Sequence, residues 1–313
     1  MIYYVSLDNP NPSGGVKTQY RHVEILNKYG YNAAMLHQNP GFTAATWFQS
    51  NAPIRYNAQT KIKSGDVLVW PEILRASIRP LSEGTQLIFN QNVHYTWRGT
   101  LPPGLPLIRQ KYDYTRDISG TMVLTDYERN FLKSFYPNHP IRVVRHGIDS
   151  SIWAYDGRPK KKQIVYMPRK HHDEAEAVFG WLASDGTLDG WEVVSIDGIS
   201  ERDSAELLKD SGVFFAFGYP EGGTLPPFEA LAAGCAVIGY GGFASDELLS
   251  QAGGRKIPSG DSCQFAAISS ICLPGLDLGK EACTLRSRQV LDLFNMKQEE
   301  ESLINFMKEV KAV

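Results

Sequence analysis

Residues 214–229 read FFAFGYPEGGTLPPFE, and they are the most informative part of the chain about its fold class. The apolar run at its start predicts a buried strand. Pro226 and Pro227 fit the first turn of a helix, where the missing proline N–H group costs nothing. Gly234 then ends the helix, and residues 235–240 predict the next buried strand. A strand, a turn, a helix and a strand in this order are typical of an α/β sheet with parallel strands.

The turn inside this stretch carries candidate binding groups. Gly222 and Gly223 leave the backbone bare just before the helix, where unpaired N–H groups and a positive partial charge suit a phosphate. Glu221 and Glu229 bracket the turn. A phosphate would repel both carboxylates, so they are better suited to accept hydrogen bonds from sugar hydroxyls. The turn therefore predicts a nucleotide-sugar site.

The same alternation of strands and helices runs along the whole chain. Strands are predicted at residues 2–7, 32–37, 67–71, 86–90, 121–125 and 141–145, and then at 163–168, 192–196, 213–217, 236–240 and 255–258. A polar stretch, residues 147–162, separates the two sets, while residues 38–63 show no strong periodicity. We therefore predict two doubly wound domains, 1–149 and 150–295, that face each other across a ligand cleft.

Bulk composition is that of a soluble globular enzyme. A length of 313 residues suggests two domains, and 42% of the residues are hydrophobic. No apolar run approaches the roughly 20 residues that span a bilayer, and no secretion signal is evident at the start. The cysteines are scattered, which argues against a disulfide framework or structural zinc and favours a cytoplasmic protein.

Charge is distributed unevenly between the two halves. Residues 1–150 contain 16 basic and 10 acidic side chains, a net +6, whereas residues 151–313 contain 16 and 24, a net −8. One interpretation is ordinary solvated surface. The other is that the first half faces an anionic partner, such as an acidic acceptor or the inner face of a membrane as a peripheral contact. Nucleic acid is not expected, because no basic cluster alternates with aromatic residues.

Residues 220–238, PEGGTLPPFEALAAGCAVI, resemble the E-x7-E signature of the retaining GT-B glycosyltransferases, family 4 in particular. Residues 241–242, 247–249 and 257–261 are similar to the next strand and turn of that family. The resemblance implies that Glu229 holds the ribose and that Glu221 contacts the transferred sugar. It also implies that backbone N–H groups serve the sugar and phosphate at Gly222, Gly223, Thr224 and Leu225. The alternative is a surface turn with a helix-dipole glutamate.

Two cations follow the strand predicted at residues 163–168. Arg169 and Lys170 would stabilise the charge of a departing nucleoside diphosphate, with arginine suited to bidentate phosphate contact. Members of the family separate the arginine and the lysine by several residues. Here the two are adjacent, and strand alternation would point them apart, so Lys170 is either a diphosphate ligand or a solvated side chain.

Three further motifs lie outside this region. Gly14 and Gly15 form either a plain tight turn or, as the resemblance implies, a loop that closes over the diphosphate. His94 is a candidate sugar contact, or else a structural or exposed histidine. His171 and His172 suggest a metal site only weakly, because adjacent histidines on a helix diverge. No Asp-x-Asp motif occurs, so neither a metal nor another cofactor is expected.

The resemblance implies a metal-independent retaining transferase that moves a sugar from a nucleoside-diphosphate-sugar to a saccharide or glycolipid hydroxyl. The second domain would bind the donor and the first the acceptor, with a helix at about 296–313 packing back on the first domain. Two alternatives stay open. One is a non-catalytic nucleotide-sugar-binding protein or subunit, and the other is a GT-B enzyme that epimerises its nucleotide-sugar.

Overall fold

Two parallel β-sheets with helices around them organise the chain. The computed structural model describes residues 1–78, 84–97 and 115–311. Unit 1 consists of Met1–Arg145 and Lys297–Val313, and unit 2 consists of His146–Met296. Each unit has its own sheet and its own buried core.

Unit 1 contains a seven-stranded sheet in the order β3-β2-β1-β4-β5-β6-β7. Its strands are β1 Ile2–Val5, β2 Ala33–His37, β3 Ile54–Tyr56, β4 Val67–Pro71, β5 Thr85–Asn90, β6 Gly120–Val123 and β7 Ile141–Val143. The helices described in this unit are α1 Gly14–Lys28, α2 Asp126–Phe135 and α10 Met296–Lys311, which begins at the last residue of unit 2. All neighbouring strands pair in parallel, and the strand order reverses between β1 and β4.

Unit 2 contains a five-stranded parallel sheet in the order β12-β11-β10-β8-β9. Its strands are β8 Lys161–Tyr166, β9 Glu192–Ser195, β10 Ser211–Ala216, β11 Ala236–Tyr240 and β12 Arg255–Ile257. The helices are α3 Ser150–Trp153, α4 His172–Ser184, α5 Glu201–Asp210, α6 Pro226–Ala232, α7 Asp246–Gln251, α8 Ser262–Cys272 and α9 Lys280–Leu293. Here the order reverses between β8 and β10, and ligands of open α/β sheets bind at the carboxyl ends of strands at such a point.

Strand β10 lies at the centre of unit 2 because both of its faces are apolar. Phe214 points into a cluster with Phe228 of α6, while Phe215 packs on the opposite face with Phe265 of α8, at a ring distance of 5.1 Å. All six residues of the strand are buried. This explains why β10 reads as a continuous apolar run and not as an alternating one.

The structure differs from the sequence-based expectation in several places. β3 lies inside residues 38–63, for which the sequence predicts no strand, because its three residues, none of them buried, leave too short a pattern. The predicted domain boundary follows residue 149, whereas unit 2 begins at His146. The reason is that Ile148 and Trp153 are buried in the core of unit 2, and the Ile148 N–H donates to the Phe294 carbonyl at 2.9 Å.

The last helix belongs to unit 1. Leu303, Phe306 and Met307 of α10 are buried in a cluster with Tyr20 and Val23 of α1. The sequence predicts a helix over about 296–313; α10 runs to Lys311, and residues 312–313 lie outside the described residues. None of the helices in the described ranges is both long enough and apolar enough to cross a bilayer.

Candidate active site

The carboxyl ends of β8 and β10 bring together two segments that are remote in sequence. β8 ends at Tyr166, so Arg169 and Lys170 lie in the following turn and not on the strand itself. β10 is followed by the turn that carries Glu221, Gly222 and Gly223. Because both turns follow neighbouring strands where the strand order reverses, this edge is the expected ligand position of unit 2.

Lys170 and Glu221 form an ion pair between these two turns. The Lys170 ammonium donates to Glu221 Oε1, with 27% of the lysine side chain and 23% of the glutamate side chain exposed. The expectation that strand alternation separates the adjacent cations does not apply, because neither lies on β8. Arg169 is exposed and makes no hydrogen bond or ion pair within the described part of the chain.

The carbonyl groups of the glycine turn are held by two buried side chains. Ser245 Oγ donates to the Gly222 carbonyl at 2.9 Å, and His146 Nε2 donates to the Gly223 carbonyl at 3.1 Å. In a trans peptide the next N–H points opposite to the carbonyl, so the N–H groups of Gly223 and Thr224 face away from these contacts. Among the described residues, no acceptor meets the N–H groups of residues 222–225.

Glu229 lies in the first turn of α6 and is only 7% exposed. The residues around it, Phe228, Ala230 and Leu231, are fully buried in the core of unit 2. The carboxylate is therefore not a solvated surface group, as the surface-turn alternative requires. A charged side chain at such a position is uncommon unless polar groups compensate for its burial.

Unit 1 places Gly14, Gly15 and His94 at the carboxyl edge of its sheet. Gly14 begins α1 directly after the loop from β1. A Cβ atom on Gly15 would lie 3.1 Å from the Gln91 amide oxygen, so the glycine permits a close approach to the segment after β5. His94 is exposed in that segment, and its backbone N–H donates to Asn92 Oδ1 at 3.0 Å. Partial desolvation of its ring nevertheless lowers the pKa of His94.

Two buried carboxyl groups at this edge were not predicted from the sequence. Glu72 follows β4 and accepts from the Gln91 N–H at 3.1 Å, while Glu128 of α2 accepts from the backbone N–H groups of Leu124 and Thr125. Burial raises the pKa of Glu72 to about 7 and that of Glu128 to about 8. The signal available in the sequence was the capping box Thr125–Glu128, which predicts a helix start and no function.

His171, Tyr219 and Glu174 form a second set of contacts that the sequence does not predict, and these contacts adjoin the Lys170–Glu221 pair. The His171 ring stacks on the Tyr219 ring at 3.8 Å and 3°, and His171 Nε2 donates to the Tyr219 carbonyl at 2.6 Å. Glu174 accepts from Tyr219 OH at 2.5 Å and from Tyr240 OH at 2.9 Å. The hydrogen bond to Glu174 raises the pKa of Tyr219 to about 12.

The two adjacent histidines, His171 and His172, meet different partners. His172 Nε2 lies 3.3 Å from Glu176 Oε1, one helical turn away on α4, whereas His171 turns to Tyr219. Within the described ranges, no group of three or more His, Cys, Asp and Glu side chains is arranged to hold a metal ion.

A cavity of about 470 Å³ in unit 1 lies at the amino ends of the strands. It is lined by Ile2, Asn32 and Val67 among others, and none of the predicted site residues lines it.

Comparisons with known proteins give one curated relative and many structural ones. No protein-family model matches the chain. An alpha-1,6-glucosyltransferase of Actinobacillus pleuropneumoniae serotype 7 is 23% identical over 274 residues, which cover 85% of this chain and 81% of the relative. Sucrose-phosphate synthase from Thermosynechococcus elongatus superposes with a TM-score of 0.70 at 13% identity, covering 99% of both chains. HepE from Anabaena, solved with UDP and glucose, superposes with a TM-score of 0.68 at 12% identity, covering 98% of this chain and 99% of HepE.

At these identities the solved structures establish the fold. Both superpositions span nearly the whole chain, and both sheets of this protein are parallel with helices around them. The predicted fold class is confirmed: the chain has the GT-B fold, built from two Rossmann-like α/β domains.

Proposed function

We propose that this protein is a glycosyltransferase that moves glucose from UDP-glucose to a saccharide hydroxyl. The observation that carries the proposal is the turn between β10 and α6. Its backbone N–H groups at Gly223 and Thr224 meet no acceptor among the described residues, and two glutamates bracket the turn at the point where the strand order reverses. The name of the Actinobacillus relative and the structure of HepE with UDP and glucose support UDP-glucose as the first donor to test.

Each group at this edge has a role in the proposal. The free N–H groups of residues 222–225 donate to the phosphate and sugar, in the way that backbone donors recognise anions elsewhere. The buried carboxylate of Glu229 accepts from the ribose hydroxyls, and Glu221 accepts from the hydroxyls of the transferred glucose. Arg169, the exposed cation next to the site, stabilises the charge that develops on the leaving diphosphate.

We further propose retention of the anomeric configuration, without a metal. The leaving diphosphate accepts the proton of the acceptor hydroxyl, which attacks the same face of the sugar that the diphosphate leaves. Arg169 and the backbone donors together supply the charge stabilisation that a divalent cation supplies in other transferases. Retention from UDP-α-glucose gives an α-glucoside, in line with the name of the relative.

For the acceptor we propose a sugar with a free primary hydroxyl, since the relative is named for an α-1,6 linkage. Gly14, Gly15 and His94 are the proposed ligand-binding residues of unit 1. A glycolipid carrying the same terminal sugar is the alternative acceptor, and a comparison of free and lipid-linked glucosides separates the two.

The test is a transfer assay with the full chain. UDP-, GDP- and TDP-glucose are each incubated with a panel of free and lipid-linked glucosides, in the presence and absence of EDTA. Products are identified by the anomeric coupling constant in proton NMR. We expect an α-linked glucose from UDP-glucose and the same rate with EDTA. Isomerised donor without acceptor would identify an epimerase, and binding without turnover on any acceptor would identify a non-catalytic binder; either result overturns the proposal.

A further inference from the structure

The ion pair between Lys170 and Glu221 suggests a role for the lysine that differs from diphosphate binding. Resting on the proposed function, we propose that Lys170 is the charge partner of Glu221 and stays paired with it when the donor binds. The lysine neutralises the carboxylate, so that Glu221 can accept hydrogen bonds from the sugar beside a diphosphate. Lys170 is thus a positioning residue, and Arg169 alone among these adjacent cations meets the diphosphate.

The electrostatic reason is the position of Glu221 in the turn. Glu221 directly precedes the backbone N–H groups of residues 222–225, to which the proposed function assigns the phosphate and the sugar. Two like charges repel each other, and they repel more strongly in a partly buried site than in bulk water. An unpaired Glu221 would therefore oppose the diphosphate that its own turn binds. A lysine ammonium on the carboxylate removes most of this repulsion.

The backbone gives Glu221 little freedom to move away from the site. Its N–H donates to the Gly242 carbonyl at 2.9 Å. Gly242 has a φ of 71°, and a Cβ atom built there would lie 2.5 Å from the Glu221 Cβ atom. The backbone and the Cβ atom of Glu221 are thus packed directly against the turn after β11, so the side chain starts from a fixed point beside the proposed phosphate site.

Lys170 is held at the same place by the residue that follows it. His171 has a φ of 53°, stacks on Tyr219 and donates to the Tyr219 carbonyl. Tyr219 precedes Glu221 by two residues, so this contact joins the two segments that carry the ion pair. Glu174 reinforces it by accepting from the hydroxyls of Tyr219 and Tyr240.

Arg169, the neighbouring cation, differs from Lys170 in both exposure and pairing. Arg169 is exposed and has no hydrogen-bonding or ionic partner within the described ranges, whereas Lys170 is partly buried and paired. An unpaired cation can meet the diphosphate without first breaking a contact within the protein. Recruiting Lys170 would instead break an existing pair and leave Glu221 exposed to the phosphate.

A double-mutant cycle on UDP affinity tests this assignment. Isothermal titration calorimetry with UDP is carried out on the full chain and on Lys170→Met, Glu221→Gln and the double variant. We expect Lys170→Met alone to weaken UDP binding about tenfold or more, because it leaves Glu221 unpaired. In the Glu221→Gln background the same substitution should change the affinity less than about twofold. An equal loss in both backgrounds would show that Lys170 binds the diphosphate directly and would overturn the inference.

Three controls make the outcome specific. Lys170→Arg keeps the positive charge and should bind UDP with an affinity within about threefold of the unmodified chain. If the loss in Lys170→Met came from misfolding and not from the missing charge, restoring the charge in Lys170→Arg would not be expected to restore the affinity. Lys162→Met removes an exposed lysine on β8 and should have no effect. Arg169→Met should weaken UDP equally in both Glu221 backgrounds. If the unmodified chain fails to bind UDP, the proposed function itself fails, whereas UDP binding with an uncoupled cycle refutes only the role given to Lys170.

Discussion

Ser245 and His146, two side chains outside the predicted site, fix the orientation of the backbone N–H groups in the glycine turn. Each donates to one carbonyl of the turn, at Gly222 and Gly223, and the trans peptide geometry turns the following N–H to the other side. Both residues are buried, at 1% and 4% exposure, so neither contact competes strongly with water. Preorganised donors bind an anion without a reorganisation cost, which is the reason to expect tight phosphate binding here.

Replacing Ser245 by alanine tests this orientation. The variant frees the Gly222 carbonyl and should lower UDP affinity about fivefold, because one neutral hydrogen bond contributes about 1 kcal/mol. Calorimetry with UDP measures the change. Ser250→Ala removes an exposed hydroxyl that donates to Asp246 on the same helix, α7, and is the matched control. Equal affinities in the two variants would show that Ser245 does not orient the turn.

Glu229 is predicted to recognise the ribose. Glu229→Gln should weaken UDP binding about 10- to 100-fold, since a hydrogen bond to a charged group contributes about 1.5–3 kcal/mol. A nucleotide without ribose hydroxyls should bind the variant and the unmodified chain alike. Glu247→Gln, an exposed glutamate on α7, is the control. If the deoxygenated nucleotide still distinguishes the variant from the unmodified chain, Glu229 does not hold the ribose.

At the level of the elements, the segment that follows β4 and helix α2 each contribute one buried carboxyl group to unit 1. Burial raises the pKa of Glu72 to about 7 and of Glu128 to about 8, above their ordinary value of 4.5. The folded protein therefore retains protons that the unfolded chain has released. The stability from both groups is fully present below pH 4.5 and is lost as the pH rises through 7 and 8.

The free energy of unfolding should accordingly fall between pH 5 and pH 8.5, by at most about 1.4 kcal/mol per pH unit for each group. Glu128→Gln keeps an oxygen for the Leu124 and Thr125 N–H groups and should flatten this decline. Urea denaturation at a series of pH values measures it. Glu281→Gln, exposed on α9, should leave the slope unchanged. An unchanged slope in Glu128→Gln would mean that Glu128 is ionised in the folded state throughout this range.

Helix α10 is held on α1 by a buried ionic contact. Arg21 Nε donates to Glu299 Oε1 at 3.1 Å, and His22 Nε2 lies 3.3 Å from the same oxygen. Neither His22 nor Glu299 is exposed, and burial lowers the pKa of His22, so Arg21 is the cation that balances this glutamate at neutral pH. Breaking a buried pair on one side leaves an uncompensated charge and is strongly destabilising.

Glu299→Gln should therefore destabilise the protein by about 3 kcal/mol and lower its melting temperature. Glu301→Gln lies two residues further along α10 in an exposed position and should change stability by less than about 0.5 kcal/mol. Differential scanning calorimetry compares the two. A similar melting temperature in both variants would show that apolar packing alone holds α10 on unit 1.

Across the whole molecule, the sequence predicts what depends on local pattern. The apolar run at residues 214–217 predicts β10, and the proline pair at 226–227 predicts the start of α6, because burial and backbone geometry act within a few residues. The contact between Lys170 and Glu221 was not predicted, since it depends on where two turns meet after β8 and β10. A strand-based expectation pointed the two cations apart, whereas β8 ends before either.

The supporting contacts were even less accessible from the sequence. His171, which stacks on Tyr219, has a left-handed backbone conformation. That conformation is usually signalled in a sequence by glycine or asparagine, and His171 is neither. Glu72 and Glu128 are distant in sequence and approach the same edge only through the order of the sheet. Contacts between residues that are distant in sequence depend on the order of the strands in the sheet, and local sequence patterns do not determine that order.

A crystal structure of the full chain with UDP-glucose is the most direct test of the donor site. We predict phosphate oxygens within about 3.2 Å of the Gly223 and Thr224 N–H groups and the ribose hydroxyls on Glu229. The glucose should contact Glu221 while Lys170 remains paired with that carboxylate. A nucleotide bound away from the turn between β10 and α6, or no bound nucleotide at saturating concentration, would contradict a nucleotide-sugar site at this turn.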